Sequence, residues 1–70
     1  DIINLAATTL DQISSVYVVG GGIESDIVMN FTDGSSLAVW AFPDQTVNFK
    51  LADGSTYSHI NATDTWIKTN

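Results

Sequence analysis

Apolar and polar residues alternate along most of this chain, and the alternation predicts a mainly β fold. The segment 46–51 shows it most clearly, because Val47, Phe49 and Leu51 alternate with polar residues. Similar runs predict further strands at 16–19, 27–32, 37–42, 56–60 and 65–69. The pattern therefore indicates five or six short strands.

Turn-forming residues separate these runs. Asp33-Gly34 and Asp53-Gly54 are dipeptides typical of tight hairpin turns, and they lie twenty residues apart. Between them, the Pro-Asp-Gln segment 43–45 joins two strand-like runs, which indicates a further antiparallel pair. Three consecutive glycines at 20–22 predict a turn or an open loop.

The first thirteen residues have a different pattern. The apolar residues there have a spacing that suits one face of a short helix, with Asp1 as its N-cap. They are Ile2, Ile3, Ala6, Leu10 and Ile13. The sequence thus predicts one domain, residues 1–70, with a short N-terminal helix followed by an antiparallel sheet.

The strand at 37–42 is apolar on both faces, because Leu37, Val39 and Ala41 alternate with Ala38, Trp40 and Phe42. Such a strand needs a closed barrel or a neighbouring chain to cover its second face. A chain of 70 residues without cysteine and with a single histidine has neither disulfides nor a multi-histidine metal site for support. We therefore expect a homo-oligomer with no cofactor.

Charge limits the partners that this chain would attract. The net charge is −6, with Lys50 and Lys68 as the only basic residues, so a single copy repels a polyanion. No apolar run is long enough to span a membrane, and we expect no membrane partner. The two glycosylation sequons, at Asn30 and Asn61, are interpreted as chance matches.

Catalytic patterns are weak in this sequence. The glycines at 20–22 resemble a dinucleotide fingerprint, but the third glycine is misplaced and a strand follows instead of a helix. Most aspartates lie at predicted turns, where the side chain caps its own backbone. His59 is interpreted as a surface or interface residue, since a lone histidine among many serines does not indicate a catalytic triad. We expect the protein not to be an enzyme.

Four aromatic residues offer a further alternative. Tyr17, Trp40, Tyr57 and Trp66 could form a platform on which a sugar stacks, as in a secreted carbohydrate-binding domain. Packing in the core or in an interface is the favoured interpretation, because aromatic side chains dominate the energetics of both.

The segment from Phe42 to Asp53 resembles the first motif of the Sm-like protein family. Asp44, Asn48 and Asp53 lie in register with that motif, and Val47, Phe49 and Leu51 match its apolar positions. Asp33-Gly34 is similar to the turn between the family's first two strands, and Ile67-Lys68-Thr69 stands where its second motif would lie. The resemblance covers residues 27–70.

The resemblance implies a short N-terminal helix and a strongly bent five-stranded antiparallel sheet, or small barrel, assembled as a homo-oligomeric ring. It also implies an RNA-chaperone type of function, with single-stranded, uridine-rich RNA bound by Asp44, Thr46, Asn48 and Lys68. The alternative is a protein-interaction or assembly module with a similar β fold and no nucleic-acid site, which the acidic charge favours.

Overall fold

The computed structural model describes residues 2–70, which form seven strands and two short 3₁₀ helices, Leu10–Gln12 and Asn61–Thr63. The strands are β1 (Ile2–Asn4), β2 (Ile13–Gly21), β3 (Glu24–Phe31), β4 (Ser36–Ala41), β5 (Thr46–Lys50), β6 (Thr56–Ile60) and β7 (Thr65–Lys68). The mainly β prediction is confirmed, and strands occupy all six segments in which the alternation predicts them.

The strands form two sheets. One has the order β1-β5-β6-β7, with β1 parallel to β5 and the other pairs antiparallel. The second has the order β2-β3-β4 and is antiparallel throughout. The inward side chains of the two sheets meet in one core, as expected when each sheet has one apolar face.

The core follows directly from the alternation. Its buried members are Ile27, Met29 and Ala41 from the three-stranded sheet and Val47 and Phe49 from the four-stranded sheet. Phe49 and Ala41 are completely buried. The period of two along each strand therefore places the apolar set of β5 against the apolar sets of β3 and β4.

The predicted N-terminal helix is wrong. Within residues 2–70 the segment begins as β1, and its backbone forms hydrogen bonds with residues far along the chain. The N–H of Leu5 donates to the carbonyl of Lys50 at 2.8 Å, and the N–H of Ala52 donates to the carbonyl of Thr8 at 2.8 Å. Two adjacent β-branched residues, Ile2 and Ile3, suit a strand better than a helix. Asp1, the predicted N-cap, lies outside the described residues.

The bent five-stranded sheet or barrel is also wrong, because the described chain has seven strands in two sheets and neither sheet is closed. The predicted pairing between 37–42 and 46–51 fails, since β4 and β5 belong to different sheets. Between them the backbone turns tightly, with the N–H of Gln45 donating to the carbonyl of Phe42 at 3.0 Å. Pro43 has no N–H to continue a ladder. The two strands therefore face each other across the core.

The glycines at 20–22 do not form a loop of their own. Gly20 and Gly21 belong to β2, and the turn to β3 consists of Gly22, whose φ is 68°, and Ile23. Ile23 is 82% exposed at the tip of this hairpin. No helix follows, so the structure agrees with the turn interpretation and not with a dinucleotide fingerprint.

The two Asp-Gly turns have the same structure. Each is a three-residue loop closed by two backbone hydrogen bonds. In the first loop the N–H of Gly34 donates to the carbonyl of Phe31 at 3.1 Å, and the N–H of Phe31 donates to the carbonyl of Ser35 at 2.9 Å. In the second loop the N–H of Gly54 donates to the carbonyl of Leu51 at 3.0 Å, and the N–H of Leu51 donates to the carbonyl of Ser55 at 2.9 Å. Gly34 and Gly54 have φ values of 90° and 86°, which glycine adopts without steric strain. The turn prediction is confirmed.

Each of these loops also fixes an aspartate. Asp33 accepts bonds from the hydroxyl and the backbone N–H of Ser35, and Asp53 does the same with Ser55. These bonds, the hydroxyl one foremost, hold the pKa of both carboxyl groups below the ordinary value of 3.8, because they favour the charged form.

Protonation of Asp33 and Asp53 should therefore account for part of the loss of folding stability in acid. A carboxyl group with a lowered pKa in the folded state stabilises the fold fully above its unfolded pKa, and this contribution is lost as the pH falls through the folded value. We expect the free energy of unfolding to decline below about pH 4, and to decline less in the double variant Asp33→Asn/Asp53→Asn. Urea titrations from pH 6 to pH 3 measure this, with Asp44→Asn as the control. An equal decline in all three proteins would contradict the role of the loops.

Candidate functional site

The outer face of the three-stranded sheet is unusually apolar. Two neighbouring rows of side chains cross it, Tyr17–Val28–Ala38 and Val19–Asp26–Trp40, as the strand registers show. Phe42 continues the outward positions of β4. We call the apolar members of this surface the aromatic face: Tyr17, Val19, Val28, Ala38, Trp40 and Phe42.

Trp40 and Phe42 are the most prominent part of the aromatic face. Their ring centroids lie 4.7 Å apart with an interplanar angle of 69°, an edge-to-face arrangement. Trp40 is 54% exposed and Phe42 51% exposed, although such side chains are normally covered. Large contiguous apolar surfaces on a small protein mark interaction sites.

Polar residues border the aromatic face on one side. The next row across the sheet is Ser15–Asn30–Ser36, in which the amide of Asn30 donates to the hydroxyl of Ser15 at 3.0 Å. In the other direction, Asp26 lies between Val19 and Trp40 in the second row, and Glu24 joins these three residues around a shallow cleft. The row Tyr17–Val28–Ala38 is thus apolar across all three strands, and Trp40 and Phe42 extend the apolar surface along β4.

The structure divides the four aromatic residues of the predicted platform. Tyr17 and Trp40 lie on the exposed aromatic face. Trp66 and Tyr57 instead stack against each other at 5.1 Å on the inner side of the four-stranded sheet, and Trp66 contacts the ring of Phe49 at 5.5 Å. The packing interpretation is therefore confirmed for Tyr57 and Trp66, and a four-residue sugar platform does not form.

The residues implied by the Sm-like resemblance do not form one site. Thr46 and Asn48 are exposed on the outer face of β5, where Asn48 accepts a bond from the hydroxyl of Ser58, and Asp44 is exposed in the preceding turn. Lys68 pairs with Tyr57 in the register of β6 and β7, so it belongs to the opposite face of that sheet. Binding of uridine-rich RNA stays a prediction of the sequence.

His59 is buried, which corrects its interpretation as a surface or interface residue. It has no exposed area, and both of its ring nitrogens have partners: Nδ1 lies 2.6 Å from Oδ1 of Asn61, and Nε2 lies 2.9 Å from Oδ1 of Asp64. The amide nitrogen of Asn61 donates to the carbonyl of Phe42 at 2.9 Å, so Oδ1 is the atom that faces the histidine and Nδ1 is the donor. Both ring nitrogens of His59 therefore have partners already, and neither can accept the proton of a serine in a catalytic triad.

Asp64 joins the two sheets. Its carboxylate accepts a bond from the backbone N–H of Val18 in β2 at 2.9 Å as well as the contact with His59 in β6. Asp64 adopts the left-handed conformation, with φ of 51°, which aspartate tolerates better than most residues. The trio His59, Asn61 and Asp64 is therefore a structural clasp. Sequence reasoning missed it, although the pattern His-x-Asn-x-x-Asp was visible.

Within residues 2–70 there is no grouping of three or more histidine or acidic side chains able to hold a metal ion. No helix in the same range has the length and apolar character needed to cross a membrane. Every buried side-chain nitrogen and oxygen in this part of the chain has a hydrogen-bond partner. The exposed pair Trp40 and Phe42 on the aromatic face is not explained by packing within one copy.

Comparison of the chain with protein-family models, with curated proteins and with solved structures finds no match.

Proposed function

We propose that this protein is an assembly module that binds a second copy of itself through the β4 side of the aromatic face. The observation that carries the proposal is the exposed pair Trp40 and Phe42, packed edge to face beside an edge strand of the sheet. The proposal adopts the assembly alternative and not the ring that the sequence resemblance implied.

Burial of this pair would stabilise a complex. A large aromatic side chain buries about 150–250 Å² when it is fully covered, so two half-exposed ones add about 200 Å² together. At about 25 cal/mol per Å² this is about 5 kcal/mol for each copy, or at most about 10 kcal/mol when both copies cover the pair fully. Association itself costs about 4–15 kcal/mol, so contacts beyond the aromatic pair are needed for a stable complex.

Size favours a second copy as the partner, and the absence of charge on β4 permits it. Each copy has a net charge of −6, so two copies repel each other except where their contact surface is uncharged. The strand β4 and Phe42 carry no charge, which makes this side of the molecule suitable for contact between like copies. A 70-residue chain without disulfides is also of the size at which association commonly supplements a small core.

Replacing Trp40 with glutamate should weaken self-association. The change removes half-exposed apolar surface and places a further negative charge on the contacting strand of a chain that is already at −6, so we expect the dissociation constant to rise at least about tenfold. Sedimentation velocity, with both proteins at the same concentration in the micromolar range, compares Trp40→Glu with the unmodified chain. Ile67→Glu is the matched control, because Ile67 is 40% exposed on β7, an edge strand of the other sheet.

The Ile67→Glu variant should sediment as the unmodified chain does. Equal sedimentation of the Trp40→Glu variant and the unmodified chain, with far-UV circular dichroism showing both folded, would contradict the proposal. An equal effect of the two glutamates would contradict it as well, because the weakening would then follow net charge and not the aromatic face.

A further inference from the structure

Strand β4 has an open edge. It lies at the end of its sheet, with β3 as its single partner among the described strands. The N–H of Phe31 donates to the carbonyl of Ser35 at 2.9 Å, so the backbone groups of Ser35 point toward β3. Because alternate residues of an antiparallel strand point to opposite sides, the backbone groups of Ser36, Ala38 and Trp40 point away from β3.

The opposite edge of the same sheet confirms this alternation. On β2, the N–H of Val18 points away from β3 and donates to Asp64 at 2.9 Å. β2 also contacts β7 of the other sheet. That edge is therefore partly covered, whereas β4 has no comparable cover within residues 2–70.

Nothing in β4 protects the edge from pairing. Its sequence, Ser-Leu-Ala-Val-Trp-Ala, has no charged residue and no proline. Its register with β3 runs from Ser36 to Ala41 without a bulge. Proteins that avoid edge-to-edge contacts normally use one of these devices. By comparison, the edge strand β1 has only three residues.

We propose that β4 pairs antiparallel with β4 of a second copy, about a two-fold axis at Ala38, and joins two three-stranded sheets into one. This inference rests on the proposed function and specifies its geometry. Ser36 lies opposite Trp40 of the second copy, Ala38 lies opposite its own equivalent, and Trp40 lies opposite Ser36 of the second copy. This register uses every outward-pointing backbone group of the strand and forms about six hydrogen bonds.

The side chains suit this register. Ala38, a small residue, lies at the axis, where two identical side chains must meet. Trp40, a large residue, lies beside the small Ser36 of the second copy, so neither clashes with its equivalent. On the inner face, Leu37 and Val39 are half-buried in one copy and would cover each other across the junction. Since β4 has no charged residue, no like charges meet between the two paired strands.

The interface would be small. With about one hydrogen bond per 100–200 Å², six bonds correspond to about 600–1,200 Å² of buried surface. Interfaces of this size belong to the weak end of specific association. We therefore expect dissociation in the micromolar range, which makes the dimer dependent on concentration.

Single cysteines test the register, since the chain has no cysteine of its own. In Ala38→Cys, the two new thiols face each other at the axis with Cα atoms about 5.5 Å apart, within the range of a disulfide. In the matched variant Ser36→Cys, four residues along the strand separate each thiol from its equivalent, about 13 Å. Under mild glutathione oxidation at micromolar concentration we expect disulfide-linked dimer from Ala38→Cys at least about tenfold faster than from Ser36→Cys.

The outcomes separate this inference from the proposed function. Faster linkage of Ser36→Cys, or equal slow linkage of both variants while the unmodified chain sediments as a dimer, would overturn the register and leave self-association standing. Absence of linkage together with a monomeric unmodified chain would overturn both. Circular dichroism of the reduced variants confirms that each is folded before oxidation.

Discussion

The Phe49→Ala variant is expected to lose most of the stability of the fold. Phe49 has no exposed area, lies in the core with Ile27 and Met29, and contacts the ring of Trp66 at 5.5 Å. Removing a buried phenylalanine side chain costs about 3–5 kcal/mol, because the transfer free energy is lost and a cavity remains. A chain of this length has a total stability of about 4–10 kcal/mol.

Urea denaturation followed by circular dichroism measures this effect, and Phe42→Ala is its matched control. Phe42 is the same residue type but is 51% exposed, so its replacement should cost about 1 kcal/mol or less in dilute solution, mainly through the lost contact with Trp40. Equal losses in the two variants would contradict the assignment of β5 to the core and of Phe42 to the outside.

The His59→Leu variant should be destabilised by about 2–3 kcal/mol, although leucine keeps much of the volume. The substitution leaves Oδ1 of Asn61, a residue only 5% exposed, without its partner. An unsatisfied buried polar group costs about 1–3 kcal/mol. Asp64 is 48% exposed at its side chain, so water can replace the lost contact there at little cost.

The double variant His59→Leu/Asn61→Ala separates the cost of the unsatisfied Asn61 oxygen from the cost of changed packing. It removes the Asn61 oxygen that would have no hydrogen-bond partner, but it also removes the bond to the carbonyl of Phe42. The losses in free energy of unfolding of the two single variants should therefore not add up to the loss of the double variant. Chemical denaturation of both single variants and the double variant completes the cycle. Stability of His59→Leu equal to that of the unmodified chain would show that the hydrogen bonds of His59 do not stabilise the fold.

Strands and turns could be predicted here because their signals are local. The alternation of Val47, Phe49 and Leu51 reflects the period of a pleated strand, and all three are buried in the structure. The Asp-Gly pairs meet a conformational requirement of the hairpin loop, which Gly34 and Gly54 fulfil with positive φ. These features depend on a few neighbouring residues and not on the topology.

Partner choice between distant segments could not be predicted in the same way. β1 pairs in parallel with β5, and Ile3 lies opposite Phe49, a residue that is distant in the sequence. The spacing of the apolar residues near the N-terminus fits a helix equally well, so only the long-range hydrogen bonds decide between the two structures. The turn at Pro43 likewise joins β4 to β5 without showing that they belong to different sheets.

The candidate site was partly visible in the sequence. The two apolar faces of the strand at 37–42 predicted that its second face needs a cover, and the structure leaves Trp40 and Phe42 exposed on it. Tyr17 and Val19 join this surface only through the register of β2 on β3, which the sequence does not specify. The clasp around His59 depends on the left-handed conformation of Asp64, for which the polar segment 61–64 has no periodic signal.

The central claim is self-association through the β4 side of the aromatic face, and the mass of the unmodified chain in solution tests it most directly. Sedimentation equilibrium from low micromolar to near-millimolar concentration should give a mass that rises from 7.5 kDa toward twice that value. A mass of 7.5 kDa at every concentration would contradict the account.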